Sequence, residues 1–174
     1  MNGMGRQPST STNDSVTHGR EFIIDNLSAS LAKSPNPIVA AIQSLERKTF
    51  PTSEALNIQT EVSKRNSHLT FARPLSPNEN IIGYLIYINT SGGLRIHKVC
   101  VSEKFRRRRV ATTLVECVCE EARKAGKNID LWVDEKRVAA IQCYINCGFR
   151  QAGDTVVDYY GPGRNGLRMV WSCE

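Results

Sequence analysis

Apolar positions along the chain change period several times, and each change marks a new element. Residues 1–18 are rich in Ser, Thr, Asn and Gly and nearly devoid of apolar side chains, so they read as a disordered tail ahead of one folded unit at 19–174. Glu21 to Leu27 reads as a first strand. Ile38, Ala41, Ile42 and Leu45 then fall at i, i+3, i+4 and i+7, which predicts a helix from Asn36 or Pro37. Phe50-Pro51 ends it, because a residue before proline disfavours helical backbone. Thr52 or Ser53 is expected to cap a second short helix, with Glu54 in its first turn. Residues 68–73 read as a strand and Pro74 to Asn80 as a turn cluster. Ile81 to Ile88 and Leu94 to Val101, joined by Asn89-Thr-Ser-Gly-Gly93, read as a β-hairpin.

The second half alternates. Val110, Leu114, Val118 and Ala122 recur every four residues with charged residues between them, which predicts an amphipathic helix stopped by Gly126. Ile129 to Val133 is a short apolar strand. Val138, Ile141 and Ile145, with Ala140 and Tyr144, predict another helix closed by Gly148-Phe149. Val156 to Tyr160 and Leu167 to Ser172 flank Gly161-Pro-Gly-Arg-Asn-Gly166 and read as a second hairpin. The order β, α, α, β, β, β, α, β, α, β, β describes one α/β (α+β) domain without internal repeats.

Composition narrows the class. With 174 residues, 40% hydrophobic and 23% charged, the chain is long enough for a core and is neither fibrous nor wholly disordered. No apolar run approaches the roughly 20 residues of a membrane span. The first residues lack an apolar leader segment, and Asn2 breaks the myristoylation pattern; both point to the cytoplasm, with the nucleus left open. The net charge of +6 raises the question of a polyanionic partner. Arg106, Arg107, Arg108 and Arg109 are consecutive, and without them the chain would stand near +2. The excess is one local feature with no wider basic stripe or interleaved aromatics, so no nucleic-acid partner is expected. Six cysteines in this context read as reduced, mostly buried thiols. Cys143 and Cys147 would share a helix face, and Cys117 and Cys119 would point apart. None of the three histidines adjoins them in sequence, so no metal site is expected.

The chemistry concentrates in Leu94 to Leu114: strand, arginine-rich turn, helix. A turn opening a helix offers unpaired backbone N–H groups and the positive dipole end, and arginines beside it add charge-assisted bonds to phosphate. This is a pyrophosphate cradle in chemical terms; the plainer alternative is a solvated basic turn capping a core helix.

These residues resemble the GNAT superfamily of acetyl-CoA-dependent N-acetyltransferases. Its phosphate loop runs Gln or Arg, two variable residues, Gly, one variable residue, then Gly or Ala; here Arg106 fills the first place and Ala111 the last, while Arg109 replaces the middle Gly. Ala140 to Phe149 is similar to the family's later helix, with Tyr144 in the tyrosine place and Arg137 where an Asn is usual. The resemblance implies a mixed sheet of about six to seven strands flanked by about four helices. It implies acetyl transfer to a primary amine by direct attack in a ternary complex. Val99, Cys100 and Val101 would bind the pantetheine, and Arg106 to Thr112, including Val110 and Ala111, the pyrophosphate, with Arg137 and Ala140 completing the cofactor contacts. Arg109 is expected to keep negative φ, which tolerates a side chain.

Tyr144 is the candidate general acid, since coenzyme A leaves as a thiolate (conjugate-acid pKa near 8.5, against about 10 for a phenol); otherwise it is a core tyrosine. His97, with an ordinary pKa near 6.5, is the candidate base. By period two it shares a face with Arg95, Val99 and Val101, and it falls where arylalkylamine N-acetyltransferases place one of two strand histidines. Glu103 is a weaker base candidate. Phe50-Pro with Glu54-Ala is similar to arylalkylamine and polyamine acetyltransferases, so Phe50, Glu54, Tyr159 and Tyr160, with Asp158, are the acceptor candidates. A small amine substrate leads. A protein lysine or N-terminal acceptor, or a degenerate coenzyme A-binding module, stays open, as does monomer against homodimer.

Overall fold

The computed structural model describes residues 21–27, 36–76 and 80–173. The expected tail at 1–18 and part of the Pro74–Asn80 turn lie outside them. The elements run β1 (Phe22–Asn26), α1 (Pro37–Thr49), α2 (Ile58–Val62), β2 (Ser67–Pro74), β3 (Gly83–Thr90), β4 (Gly93–Val101), α3 (Val110–Lys124), β5 (Ile129–Asp134), α4 (Val138–Asn146), β6 (Arg150–Gln151) and β7 (Gly166–Trp171). They form one seven-stranded mixed sheet in the order β1-β2-β3-β4-β5-β7-β6, in which only β4 and β5 are parallel neighbours. The expected order of elements and the mixed α/β architecture with four helices are both present.

Each helix starts where its sequence provides a cap or an apolar stripe. Asn36 Oδ1 accepts the Ile38 N–H at 2.8 Å, and Pro37 opens α1 where no N–H is needed. Phe50, before Pro51, is extended at φ −117°, as its position requires. The stripe Val39, Ile42, Leu45 packs with Ile58, Leu69, Tyr84 and Ile86 on one face of the sheet. The stripe Val110, Leu114, Val118, Ala122 packs with Leu94, Ile96, Ile129 and Met169 on the other.

Two expectations need correction. The second helix starts at Ile58, capped by Asn57, whose Oδ1 accepts the Thr60 N–H at 3.0 Å. Thr52 to Glu54 form a turn instead, because the Pro51 carbonyl takes both the Glu54 and Ala55 N–H groups at 2.9 Å. Likewise, Val156 to Tyr160 is not a strand beyond a single bridge from Val156 to Gly166. The backbone winds up there: Asp158 sits at φ 55°, and its Oδ1 accepts the Gly163 N–H at 2.6 Å. The strand that pairs with β7 lies earlier, at Arg150–Gln151.

The six cysteines are free thiols, but only Cys100 and Cys119 are buried; Cys117, Cys143, Cys147 and Cys173 are partly exposed, which corrects the expectation of mostly buried thiols. Cys143 and Cys147 do share a face, and both sulfurs approach Thr112 of α3, at 3.7 Å and 3.9 Å.

A carboxylate also lies in the core. Glu46, fully buried on α1, accepts from the Tyr84 hydroxyl and from the Leu56 N–H at 2.9 Å, and Lys98 Nζ stands 3.3 Å from it. Three partners offset the cost of burying the charge. Glu46→Ala would strand Lys98 and the Tyr84 hydroxyl, so it is expected to lower unfolding stability by about 3–5 kcal/mol, read from urea or thermal denaturation.

Candidate active site

The site begins with strands that stop pairing. β4 and β5 run parallel but pair only at Leu94↔Ile129, Arg95↔Asp130 and Ile96↔Leu131. Beyond Ile96 the β5-facing edge of β4 has no strand partner through Val101. The gap opens at the carboxyl ends of the strands, where α/β sheets present ligand crevices. A bulge coincides with it. Against β3, Ile86 pairs with Lys98 and Tyr87 with Ile96, which leaves His97 as the extra residue.

The bulge corrects the period-two reading of His97. Val99 and Val101 pack on the α3 side, whereas His97 faces α2, with Nε2 3.8 Å from Glu61 Oε2. One inserted residue moves all later side chains to the other face. Burial pushes the His97 pKa below the ordinary imidazole value; Lys64 and Lys98 push the same way, and Glu61 opposes them without reversing the shift. Cys100 packs into the α1 side, and burial pushes its thiol up to about 11, so it offers the gap its backbone alone.

The arginine turn leads into α3. Arg107 and Arg109 have φ 61° and 62°, so the expectation of negative φ at Arg109 is overturned. The left-handed backbone is set by the tight entry into α3, and a non-glycine residue there costs about 1–2 kcal/mol. The side chain is accommodated because it turns along the helix, with Nη2 3.5 Å from Glu116. Arg108 reaches Glu21 at 3.0 Å and covers the Phe105 ring, and Arg106 Nε lies 3.4 Å from the Val101 carbonyl. The first helical bond of α3 runs from the Thr113 N–H to the Arg109 carbonyl at 2.9 Å. No side chain caps the start and no acid stands in the first turn, so the Val110, Ala111 and Thr112 N–H groups are unused within the helix.

From the other side α4 supplies Tyr144, its one buried residue at 9% exposure, with its ring 5.8 Å from Phe149. Burial raises its pKa, with Cys143 and Tyr160 adding to the rise and Arg137 opposing it. Among the described residues its hydroxyl has no hydrogen-bond partner. Ala140 packs against the same core from the exit of the β5–α4 turn.

The acceptor candidates divide. Phe50 lies beneath two cations, Lys98 Nζ at 3.6 Å and Arg137 at 5.6 Å from the ring centre. Glu54 is held by Arg137 at 2.7 Å and Arg164 at 2.6 Å. Although burial raises its pKa, these guanidiniums pull it below the usual carboxylate value. Tyr160 meets the edge of Tyr159 and lies under Arg164. Tyr159 instead stacks flat on Trp132 at 4.4 Å, close above Gly166 and near enough to Arg95 to influence it. Glu103 is exposed.

Sequence reasoning missed Lys98, Asp134, Arg164 and Trp132. Arg164 was hidden in a segment that reads as a hairpin turn, and Lys98 stood beside the more conspicuous His97. Among the described residues no cluster of three His, Cys, Asp or Glu side chains is arranged to hold a metal, and no helix is long and apolar enough to cross a membrane.

The residues present fit acetyl-CoA. A tyrosine hydroxyl without a hydrogen-bond partner among the described residues, three unused amides beside four arginines, and an unpaired strand edge match a thioester, a pyrophosphate and an amide-bearing pantetheine. The left-handed strain makes a separate claim about stability. Arg109→Gly is expected to be more stable than Arg109→Ala by about 1 kcal/mol, because both lose the charge but only glycine relieves the backbone; thermal denaturation of the pair checks it.

Residues 38–149 match the acetyltransferase (GNAT) family. Among solved structures, a GNAT-family chain from Desulfovibrio desulfuricans superposes with TM-score 0.70 at 15% identity, covering 88% of this chain and 99% of that one. The ribosomal-protein-S18-alanine N-acetyltransferase of Escherichia coli gives TM-score 0.68 at 17% identity, with 86% and 92% covered. An aminoglycoside 6'-N-acetyltransferase complexed with coenzyme A gives 0.69 at 17% identity, with 87% and 97% covered. No curated protein sequence matches the chain. The family match covers well over half the sequence, and its fold and cofactor-shaped site agree with it: the chain belongs to the GNAT acetyltransferase family, whose members take their acetyl group from acetyl-CoA.

Proposed function

We propose that this acetyltransferase acetylates a small primary amine at the gap between β4 and β5, by direct attack with both substrates bound. The observations that support the reading are the β4 edge left without a strand partner beyond Ile96, the uncapped start of α3, and a Tyr144 hydroxyl with no hydrogen-bond partner among the described residues. Acetyl-CoA supplies an activated thioester, whose carbonyl accepts the amine and whose sulfur leaves.

In this reading the Val110 to Thr112 amides and the loop Arg106–Arg109 hold the pyrophosphate, while the backbone of Val99, Cys100 and Val101 aligns the pantetheine. Arg137 and Ala140 flank its far end. Tyr144 keeps its proton throughout. Its raised pKa makes outright transfer to a thiolate uphill, so its role is to donate a hydrogen bond to the sulfur as negative charge gathers there. His97 stays neutral near pH 7 because burial lowers its pKa, and it takes the proton the attacking amine must lose. Its side chain is 40% exposed, which lets that proton pass on to solvent.

Phe50 and Tyr160 offer aromatic rings on which cations already rest, Lys98 and Arg137 on Phe50 and Arg164 on Tyr160, and such rings suit an arylalkylamine. Glu54 and Asp134 are both already paired with guanidiniums, whereas Asp158, whose Oδ1 accepts the Gly163 N–H, has no ion pair among the described residues and is the carboxylate left for a substrate ammonium.

Coenzyme A release with acetyl-CoA and a panel of arylalkylamines, polyamines and peptides tests the reading, with turnover expected for the arylalkylamines; silence across the panel would sink it. Tyr144→Phe should lower kcat by about 10²-fold with little change in KM for acetyl-CoA. The acid limb of kcat/KM should lie below the ordinary imidazole value, since activity falls only as His97 becomes protonated. His97→Ala should move that limb to higher pH, because the amine then loses its proton unaided.

A further inference from the structure

Two thiols that the acetyl transfer does not use stand where α4 meets the first turn of α3. Cys143 lies on α4 and Cys147 caps its end, so the two share a face. Cys143 Sγ is 3.7 Å from the Thr112 hydroxyl, and Cys147 Sγ donates to the Thr112 carbonyl at 3.9 Å. Both cysteines are partly exposed, whereas Cys100 and Cys119 are buried.

The neighbours make the two sulfurs unequal. A carbonyl oxygen only accepts, so the Thr112 carbonyl favours a protonated Cys147. Cys143 instead faces two groups able to donate, the Thr112 hydroxyl and the Cys147 thiol, and donors favour a thiolate. The bond from Cys147 pulls the Cys143 pKa below the ordinary thiol value, and Thr112 adds to it. Burial opposes the shift, as does the Glu116 carboxylate of α3, which is itself paired with Arg109. The same bond pushes Cys147 upward, with burial, Cys119 and Glu116 acting in the same direction. Cysteines four apart on a helix hold their Cβ atoms about 5–6 Å apart, while a disulfide needs about 3.5–4.5 Å. Cys147 therefore does not close onto Cys143 while the end of α4 stands, and a disulfide partner has to come from outside.

We infer that Cys143 is a modification site for small disulfides of the glutathione class, with Cys147 as the positioning residue that sets it up as the nucleophile. The Cys143 thiolate attacks one sulfur of the disulfide. A bond forms between the two sulfurs, the disulfide's own S–S bond breaks, and the departing thiolate takes a proton from solvent. The small disulfide is the oxidant: its leaving half is reduced to a thiol as Cys143 is oxidised. The group so attached sits against Thr112, one of the residues whose amides are unused at the start of α3. Resting on the reading that those amides hold the pyrophosphate, the adduct weakens coenzyme A binding, and bound cofactor slows the adduct's formation to match.

The test treats the reduced full chain with glutathione disulfide near pH 7 and maps the product by mass spectrometry. One glutathionyl group is expected on Cys143, added about tenfold or more faster than on Cys117 or Cys173 and removed by dithiothreitol. In Cys147→Ala the half-point of the rate–pH curve should move to higher pH; Cys147→Ser, whose hydroxyl still donates, should restore it. Equal rates at the partly exposed cysteines overturn the inference, as does loss of two hydrogens without an adduct. An unmoved pH curve in Cys147→Ala overturns the role of Cys147. Should that variant fail to fold, as judged by circular dichroism, the selectivity of wild type decides. Calorimetry with desulfo-coenzyme A, which carries no thiol to exchange, reads the link to the cofactor. The adduct should bind it about tenfold or more weakly than the reduced protein, and equal affinities overturn the link. No binding by the reduced protein counts against the cofactor reading alone, because the adduct and its pH curve are measured without cofactor.

Discussion

Two parallel strands that pair for three residues and then part are the constraint on which the rest of this structure depends. Left alone, such edges would continue to zip together, because each unpaired peptide group gains a partner by doing so. Three features oppose this. The bulge at His97 changes the course of β4 as pairing with β5 ends. The core on the α3 side fixes both strands below the gap, through Leu94, Ile96, Ile129 and Leu131. Above it, Lys98 and Asp134 tie the two strands to the Glu54 loop, and not to each other. The backbone groups left over are the ones an extended amide chain such as pantetheine can use.

The positive charge of the chain takes a different meaning once its partners are known. Arg95 and Arg168 share Asp130 on the open sheet face, and Arg137 and Arg164 share Glu54. Those four guanidiniums are structural rivets between strands and loops. In the tetrad Arg106–Arg109, Arg106 and Arg107 form no ion pair among the described residues, and Arg108 and Arg109 reach acids on exposed flanks. The excess therefore faces one anionic group at the start of one helix, which fits a single small cofactor.

Most of the fold was legible in the sequence because its elements carry their own periods. The stripe of α3, the α1 start at Asn36–Pro37 and the Phe50-Pro51 stop are local and stand where the pattern put them, whereas the buried face of α1 runs through Val39, Ile42, Leu45 and Glu46, with Ile38 and Ala41 only partly covered. The failures share a cause. The α2 start, the wound segment at Asp158, the face of His97 and the backbone at Arg109 are decided by partners far along the chain or by one inserted residue. Nothing in Arg-Arg-Arg-Arg announces a left-handed residue; glycine would have. Of the candidate site, the cradle and Tyr144 were readable as a loop-and-helix motif. The partnership of Glu54 with Arg164 was not, because it spans 110 positions and Arg164 reads as part of a turn.

Burial accounts for the chemistry at both ends of the proposed reaction. Desolvation penalises whichever form of a group is charged. For Tyr144 that form is the phenolate, so its pKa rises; for His97 it is the imidazolium, so its pKa falls. One physical cause thus leaves a protonated donor and an unprotonated acceptor at the same pH, from opposite faces of the sheet, at the place where the strands separate. Neither residue needs a dedicated charge partner: Tyr144 has no hydrogen-bond partner among the described residues, and Glu61 at 3.8 Å does not reverse the shift of His97. Residues whose environments drive their pKa values apart are the pattern expected of an acid and a base working in one reaction. Here the separation follows from where the helices cover the sheet, which supports the proposed roles of Tyr144 as hydrogen-bond donor and His97 as proton acceptor.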